Sequence, residues 1–318
     1  MDLSLIIPVY NEEQSLPQLA AEIAAAMGSL QRTWEAVFID DGSTDGSLKV
    51  LEDLLAKDPE HIGLVVFRRN YGQTAAIAAG IDHSTGETVI LLDADLQNDP
   101  ADIPRLLDKL DEGYDLVSGW RRLRKDNAFT RNMPSAVANW IISQVTGVHL
   151  HDYGCTLKAY RRDALEGFRL YGEMHRFIPV YADSVGARIT ELSVSHRPRQ
   201  FGRAKYGLER TLKVILDLFT VKFLVSYANK PSRLFGGAGL VLIFTSLITL
   251  LYLFVRRTLA GTAVLGSPLF QLGVMFFILG FQSILMGLIA ELLVRTYHES
   301  QKKPTYTVRS ISYIKRPK

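Results

Sequence analysis

The chain has 318 residues, 47% of them hydrophobic, with a net charge of +3 and one cysteine, Cys155. So small an excess of positive charge, with no long basic run interleaved with aromatics, argues against a nucleic-acid partner, and a lone cysteine excludes an internal disulfide and fits a reducing cytosol. Charged residues are frequent up to Arg233 and then vanish from Leu234 to Val255 and again from Thr258 to Ala290, each stretch longer than the roughly 20 residues that cross a bilayer, so a soluble domain followed by two membrane helices is expected.

The chain enters directly on an apolar run, Leu3 to Val9, with no basic region or cleavage site ahead of it, so no signal peptide is expected. That run reads as a strand ending at Pro8-Val9-Tyr10-Asn11-Glu12, after which Ser15 can cap a helix to about Met27. Trp34 to Ile39 repeats the theme and ends in the acidic turn Asp40-Asp41-Gly42-Ser43, before a helix from Leu48 to Leu55. Leu64 to Phe67 is a third strand, Gln73 to Ile81 a helix of small residues able to approach a sheet closely, and Thr88 to Leu92 a fourth strand. Strands alternating with helices at this spacing predict an α/β fold with a mostly parallel sheet covered on both faces. Neither GxGxxG nor GxxxxGK[ST] follows the first strand, which removes the dinucleotide-binding and P-loop readings.

The fourth strand delivers Asp93 and Asp95, in Asp93-Ala94-Asp95-Leu96-Gln97, to the sheet edge where ligands of α/β proteins bind. Alternation along an extended chain would put both carboxylates on one side, able to share a hard cation on a nucleotide diphosphate. The other reading is an acidic loop capping the helix that starts near Pro104. Glu12, Asp40 and Asp41 sit at equivalent strand ends, and three such loops together favour a site over solvated acids.

Further along, Leu116 to Trp120 is a strand leading into Arg121, Arg122, Arg124, Lys125 and Arg131, either a solvated basic loop or an anion dock opposite the carboxylates. Met133 to Gly147 is an apolar helix, with Trp140 expected to face lipid or a lipid tail. His149 and His151 fit packing better than metal ligation. Leu157 to Tyr160 and Ile189 to Val194 are later strands, with a helix from Glu173 to Val185 between them. Arg199, Arg203 and Lys205 then lie in a glycine-flanked loop that can close over a diphosphate or, alternatively, touch anionic lipid. Leu208 to Tyr227 carries a helical apolar stripe suited to the membrane interface. Two basic residues in the linker between the spans and six from Lys302 onward place both termini in the cytosol. Gly273, Gly280 and Gly287 form one smooth face for close packing against the first span or a neighbouring subunit, so a homo-oligomer through the membrane helices is expected.

With Arg69-Asn70-Tyr71-Gly72-Gln73 and Gly202-Arg203-Ala204-Lys205-Tyr206 added to the strand-end motifs, in this order, the chain resembles family 2 glycosyltransferases of GT-A fold, specifically those acting on polyisoprenyl phosphates. The resemblance implies a GT-A domain over residues 1–207, an amphipathic helix over 208–233, two membrane helices over 234–294 and a basic cytosolic tail over 295–318. It implies that Pro8, Tyr10, Glu12 and Asp41, with Gly72 and Gln73 nearby, hold the base and ribose of a nucleotide sugar. Asp93, Asp95 and Gln97 would hold Mg²⁺ or Mn²⁺; Arg121 and Arg131 would take the acceptor phosphate; Arg199, Arg203 and Lys205 would close over it. Asp152 occupies an acidic position of the family. The implied activity is inverting transfer of a hexose, with glucose from UDP-glucose as the expected donor, to undecaprenyl or similar polyprenyl phosphate. Mannose from GDP-mannose and a UDP-aminopentose are the alternatives within the class. A processive polysaccharide synthase should show a QxxRW motif, which is missing here, and a non-catalytic scaffold has no need of the carboxylates and cations.

Overall fold

The computed structural model describes residues 1–122, 133–165, 170, 174–198, 231–261, 263–264, 266–300 and 306–312. The chain divides into two units, residues 1–221 with 304–318, and residues 222–303. In the first, strands β1 (Leu3–Val9), β2 (Trp34–Asp40), β3 (Ile62–Phe67), β4 (Thr88–Leu91), β5 (Leu116–Trp120), β6 (Lys158–Arg161), β7 (Ile189–Ser193) and β8 (Val308–Ser312) form one sheet in the order β7-β5-β6-β4-β1-β2-β3-β8. Its helices are α1 (Leu16–Gly28), α2 (Ser47–Lys57), α3 (Gln73–His83), α4 (Ile103–Asp111), α5 (Met133–Thr146) and α6 (Ile178–Ser184).

Both faces of the sheet are covered, as near-continuous apolar strands require. Leu3, Leu5 and Ile7 of β1 face one way with Ala36, Phe38, Leu64 and Val66, and pack in one buried cluster with Leu19 and Ile23 of α1, Leu51 of α2 and Leu106 and Leu110 of α4. On the opposite face the small residues of α3 allow the close approach expected of them. A Cβ at Gly80 would stand 2.2 Å from Ile6 Cγ2, so nothing larger than glycine fits.

The sheet is mostly parallel, as the alternation of strands and helices predicts, but with antiparallel pairs within it. β1, β2, β3 and β4 pair in parallel and β5 pairs in parallel with β7, but β6 runs antiparallel between β4 and β5. Composition does not encode strand direction when both faces are buried. The consequence is useful: β4 and β5 end, and β6 begins, at the same edge. The tail differs too. Within residues 295–318, read as a basic tail, the second apolar helix runs on to Ser300 and Val308–Ser312 forms β8, antiparallel to β3. The helix expected over Glu173 to Val185 is a 3₁₀ turn, Met174–Phe177, followed by α6, because Pro179 has no N–H to offer a helix entering from further upstream. Ser15 sits at the N-cap of α1, but its hydroxyl donates back to the Glu12 carbonyl at 3.0 Å instead of capping the helix.

The second unit is a hairpin of α7 (Pro231–Ala260) and α8 (Pro268–Ser300), whose segments Phe235–Leu259 and Pro268–Ala290 are long and apolar enough to cross a membrane. The glycine face predicted on α8 is used within the hairpin. A Cβ on Gly280 would meet the Gly239 carbonyl at 2.7 Å, Gly273 faces Leu250, and Ser246 Oγ donates to the Gly273 carbonyl at 2.6 Å. The expected interfacial helix, 208–227, lies outside the described residues.

Candidate functional site

The loops that follow β1, β2, β3, β4 and β5 meet at one sheet edge, and each is shaped by a bond its neighbour supplies. Pro8 sits inside a central strand, normally a poor place for it. Here the Val9 carbonyl accepts from Asp41 N on the β2 side, so Pro8 faces β4, whose pairing with β1 stops at Leu91. The β1–β4 ladder ends where Pro8 has no N–H to give. Asn11 then adopts a left-handed conformation, φ 54°, that its short polar side chain tolerates; its N–H donates to Ser43 Oγ (3.0 Å) and its Oδ1 accepts from Thr44 N (2.8 Å). Glu12 N donates to Ser47 Oγ at 2.8 Å.

Asp41, 3% exposed, splits its carboxylate between two backbone donors, Tyr71 N at 2.6 Å and Gly72 N at 2.9 Å. Burial nevertheless dominates and pushes its pKa up to about 6. Gly42, at φ 68°, lies so close to the Arg69–Asn70 backbone that a Cβ would be 2.6 Å from Arg69 C. The turn after β2 therefore dictates the path of the loop after β3. That loop ends at Gln73, whose Nε2 donates to Asp93 Oδ1 at 2.8 Å.

Asp93 and Asp95 do come together, though not by strand alternation. β4 ends at Leu91, the chain turns at Ala94 and Asp95, and Leu96 takes φ 59° with its side chain fully buried. Burial first, and then the negative charge of Asp95, raise the pKa of Asp93, while a hydrogen bond with Thr156 and the charges of Arg121 and Lys158 act the other way. Gln97 N donates to Asp95 Oδ1 at 3.1 Å. At the end of β5, Arg121 meets Asp152 in a two-pronged ion pair, Nε to Oδ2 at 2.7 Å and Nη2 to Oδ1 at 2.9 Å. Burial alone would lower the Arg121 pKa; the Asp152 carboxylate outweighs it and holds the guanidinium above its usual range. Lys158, 2% exposed at the start of β6, donates to the carbonyls of Tyr153 (3.3 Å) and Cys155, and burial lowers its pKa. Arg121 and Lys158 thus carry positive charge close enough to Asp93 to oppose the repulsion between it and Asp95.

Residues 4–168, more than half of the chain, match the model of glycosyl transferase family 2. The chain belongs to this family. Its whole length is similar to curated relatives: it is 42% identical over 314 residues to the dodecaprenyl-phosphate galacturonate synthase of Rhizobium johnstonii, covering 98% of this chain and 93% of the relative. It is 36% identical over 316 residues to the undecaprenyl-phosphate 4-deoxy-4-formamido-L-arabinose transferase of Proteus mirabilis, with 99% and 95% covered. Among solved structures, glucosyl-3-phosphoglycerate synthase from Mycobacterium tuberculosis, crystallised with Mn²⁺, UDP and phosphoglyceric acid, superposes with a TM-score of 0.52 at 19% identity, covering 70% of this chain and 78% of that one. That likeness is one of fold, the GT-A fold.

Within this glycosyltransferase, Tyr10, Glu12, Asp41, Gly72, Asp93, Asp95, Gln97 and Arg121 lie on the loops after β1 to β5, Pro8 near the end of β1, Gln73 at the start of α3 and Asp152 in the segment before β6. Arg131, Arg199, Arg203 and Lys205 lie outside the described residues. The chain leading to Arg199 is nevertheless fixed. Arg197 N donates to the Gln97 carbonyl at 2.8 Å, its guanidinium binds Glu22 and Asp99, and His196 forms an antiparallel bridge with Asn98. His196 and Arg197 are therefore held beside the Asp93–Gln97 loop. Sequence reasoning missed Lys158, a lysine in an otherwise apolar strand pattern and the one available signal for it. It also missed His175, buried, bonded to Thr74 Oγ1 at 2.8 Å, and lowered to about 3 by burial and the nearby Arg176 and Lys158 charges. Among the described residues no group of three His, Cys, Asp or Glu side chains is placed to hold a metal ion.

Proposed function

We propose that this glycosyltransferase moves a sugar from a nucleoside diphosphate to polyprenyl phosphate with inversion at the anomeric carbon. The observation that carries this reading is likeness over 98% of the chain, both apolar helices included, to a relative named for dodecaprenyl phosphate. A relative named for undecaprenyl phosphate supports it. Glucose, the sugar expected from the resemblance, is named in neither relative. Galacturonate is the sugar we assign first, carried by UDP, and formamido-arabinose is the second reading.

The acceptor needs no general base. A phosphate monoester with a second pKa near 6 is largely dianionic at neutral pH. One of its oxygens forms the bond to the anomeric carbon as the bond from that carbon to the diphosphate breaks, and the electron pair leaves with the nucleoside diphosphate. This chain's residues have to align the partners and neutralise charge. Asp41, through Tyr71 and Gly72, shapes the loop against which the base and ribose lie, with Pro8, Tyr10 and Glu12. Arg121, fixed by Asp152, and Arg131 receive the lipid phosphate, while Arg199, Arg203 and Lys205 are assigned to the diphosphate.

The residues fit a divalent ion. Mutual repulsion at Asp93 and Asp95 would be relieved by a cation, and among the described residues no third carboxylate joins them, which would leave positions on an ion open for phosphate oxygens. Asp93, Asp95 and Gln97 would hold Mg²⁺ or Mn²⁺, which supplies positive charge for the departing diphosphate. Purified protein incubated with polyprenyl phosphate and labelled UDP-galacturonate, UDP-formamido-arabinose, UDP-glucose or GDP-mannose should move label from the first into the organic phase, and lose that activity on chelation or in Asp95→Ala. Label entering from UDP-glucose alone would restore the glucose reading, and undiminished transfer after chelation would remove the metal. The membrane placement, with both termini in the cytosol, follows from the basic tail and the two apolar segments. An oligomer would have to use a face of the hairpin other than the one carrying Gly273 and Gly280.

A further inference from the structure

The segment entering β8 has no part in the chemistry above, yet it grips the loop that faces the nucleotide. The pairing of β8 with β3 shifts register between Val66 and Phe67, where β3 gives way to that loop. Just there Arg68 N donates to the Thr307 carbonyl at 3.2 Å. The Tyr306 ring, 8% exposed, stacks on Phe67 with centroids 5.1 Å apart, and its hydroxyl donates to Asp82 Oδ2 on α3 at 2.8 Å. Phe67 meets Tyr71 edge-on at 5.6 Å, and the Tyr71 hydroxyl shares a hydrogen bond with the Thr307 side chain. The other side of the same loop is held by Asp41 and Gly42, and its far end, Gln73, reaches Asp93.

Loop 68–73 is thus clamped between the turn after β2 and the returning C-terminal chain. The Asp41 carboxylate holds this loop at Tyr71 N and Gly72 N, and Gly72, at φ 92°, has nothing within 4 Å of where a Cβ would stand. Ordering such a loop costs conformational entropy, and a loop ordered in advance does not draw that cost from ligand binding. We infer that Tyr306 and Thr307 are positioning residues for nucleotide binding, pre-ordering the 68–73 loop from the side opposite Asp41. The inference rests on the proposed function, in which that loop lies against the base and ribose.

The test uses the full-length protein in detergent, with UDP and Mg²⁺ as the binding probe in calorimetry and initial rates for both substrates. Tyr306→Ala should weaken UDP binding and raise the donor KM together by roughly five- to tenfold, the size of one lost hydrogen bond and stack, with kcat and the KM for polyprenyl phosphate moving by less than about twofold. Tyr306→Phe keeps the stack and should recover most of the affinity; Thr307→Val, which loses only the bond to Tyr71, should fall between. UDP affinity unchanged in all three variants would overturn the inference and leave the parent reading intact. So would a loss in which kcat falls with the folded fraction seen in thermal unfolding while both KM values stay put, the mark of a mere brace. Wild-type protein that binds no UDP in the presence of Mg²⁺ would overturn both.

Discussion

A single buried carboxylate, Asp41, sets the path of a neighbouring loop, and its protonation state should be readable in function. Its folded pKa, about 6, lies above the 3.8 of an unperturbed aspartate, so the folded domain takes up a proton between those values. The sign follows: this group's contribution to stability falls as pH rises through that window, because the unfolded chain ionises first. Function runs the other way. Below about pH 6 the protonated carboxyl can no longer accept from both Tyr71 N and Gly72 N, so UDP affinity should drop as pH falls from 7 to 5. Asp41→Asn, with one acceptor instead of two, should lose that pH dependence and bind UDP at least ~10-fold more weakly in calorimetry. Arg121 is the second residue where chemistry depends on shape. A lysine keeps the charge but not the fork that Asp152 engages at 2.7 and 2.9 Å. Arg121→Lys should therefore cut kcat by roughly 10- to 100-fold while the fold survives, measured by transfer rate beside circular dichroism.

At the scale of elements, close approach is bought with glycine in both units. Gly80 lets α3 lie on β1, and Gly239 and Gly280 let α7 and α8 touch backbone to backbone. In hydrocarbon, where apolar burial drives little, such packing and bonds like Ser246 to the Gly273 carbonyl are what hold a hairpin together. Gly280→Leu would drive a side chain into the Gly239 carbonyl and Ile243, so it should lower the temperature of thermal inactivation in detergent, at a cost of about 1–3 kcal/mol, with UDP affinity unchanged. A neutral outcome would mean that the two helices do not meet at that face. The Asp93–Gln97 loop shows the same interplay in the other unit. Leu96 pays for a left-handed backbone with complete burial, and the turn it makes keeps Asp93 and Asp95 in electrostatic contact after the strand has ended.

For the whole molecule, the proposed topology can be tested because Cys155 is buried and should not label. Ala263→Cys, in the linker, should react with an impermeant maleimide in intact cells, and Arg309→Cys only after lysis; the reverse pattern would invert the assignment. The sequence by itself determined the alternation of strands and helices, the acidic loops at their ends and the two apolar segments, since these follow from local period and composition. Leu3–Val9 and Leu116–Trp120 were readable to the residue for that reason. Only the tertiary structure decided which way β6 runs, that residues 308–312 close the sheet, that Arg121 is committed to Asp152 and that Lys158 is buried beside Asp93. Each of these depends on residues far apart in the chain, 31 positions for Arg121 and Asp152 and 224 for Tyr306 and Asp82. Local propensity is silent about such pairs, because their energy arises only when folding brings the partners together and removes water from between them.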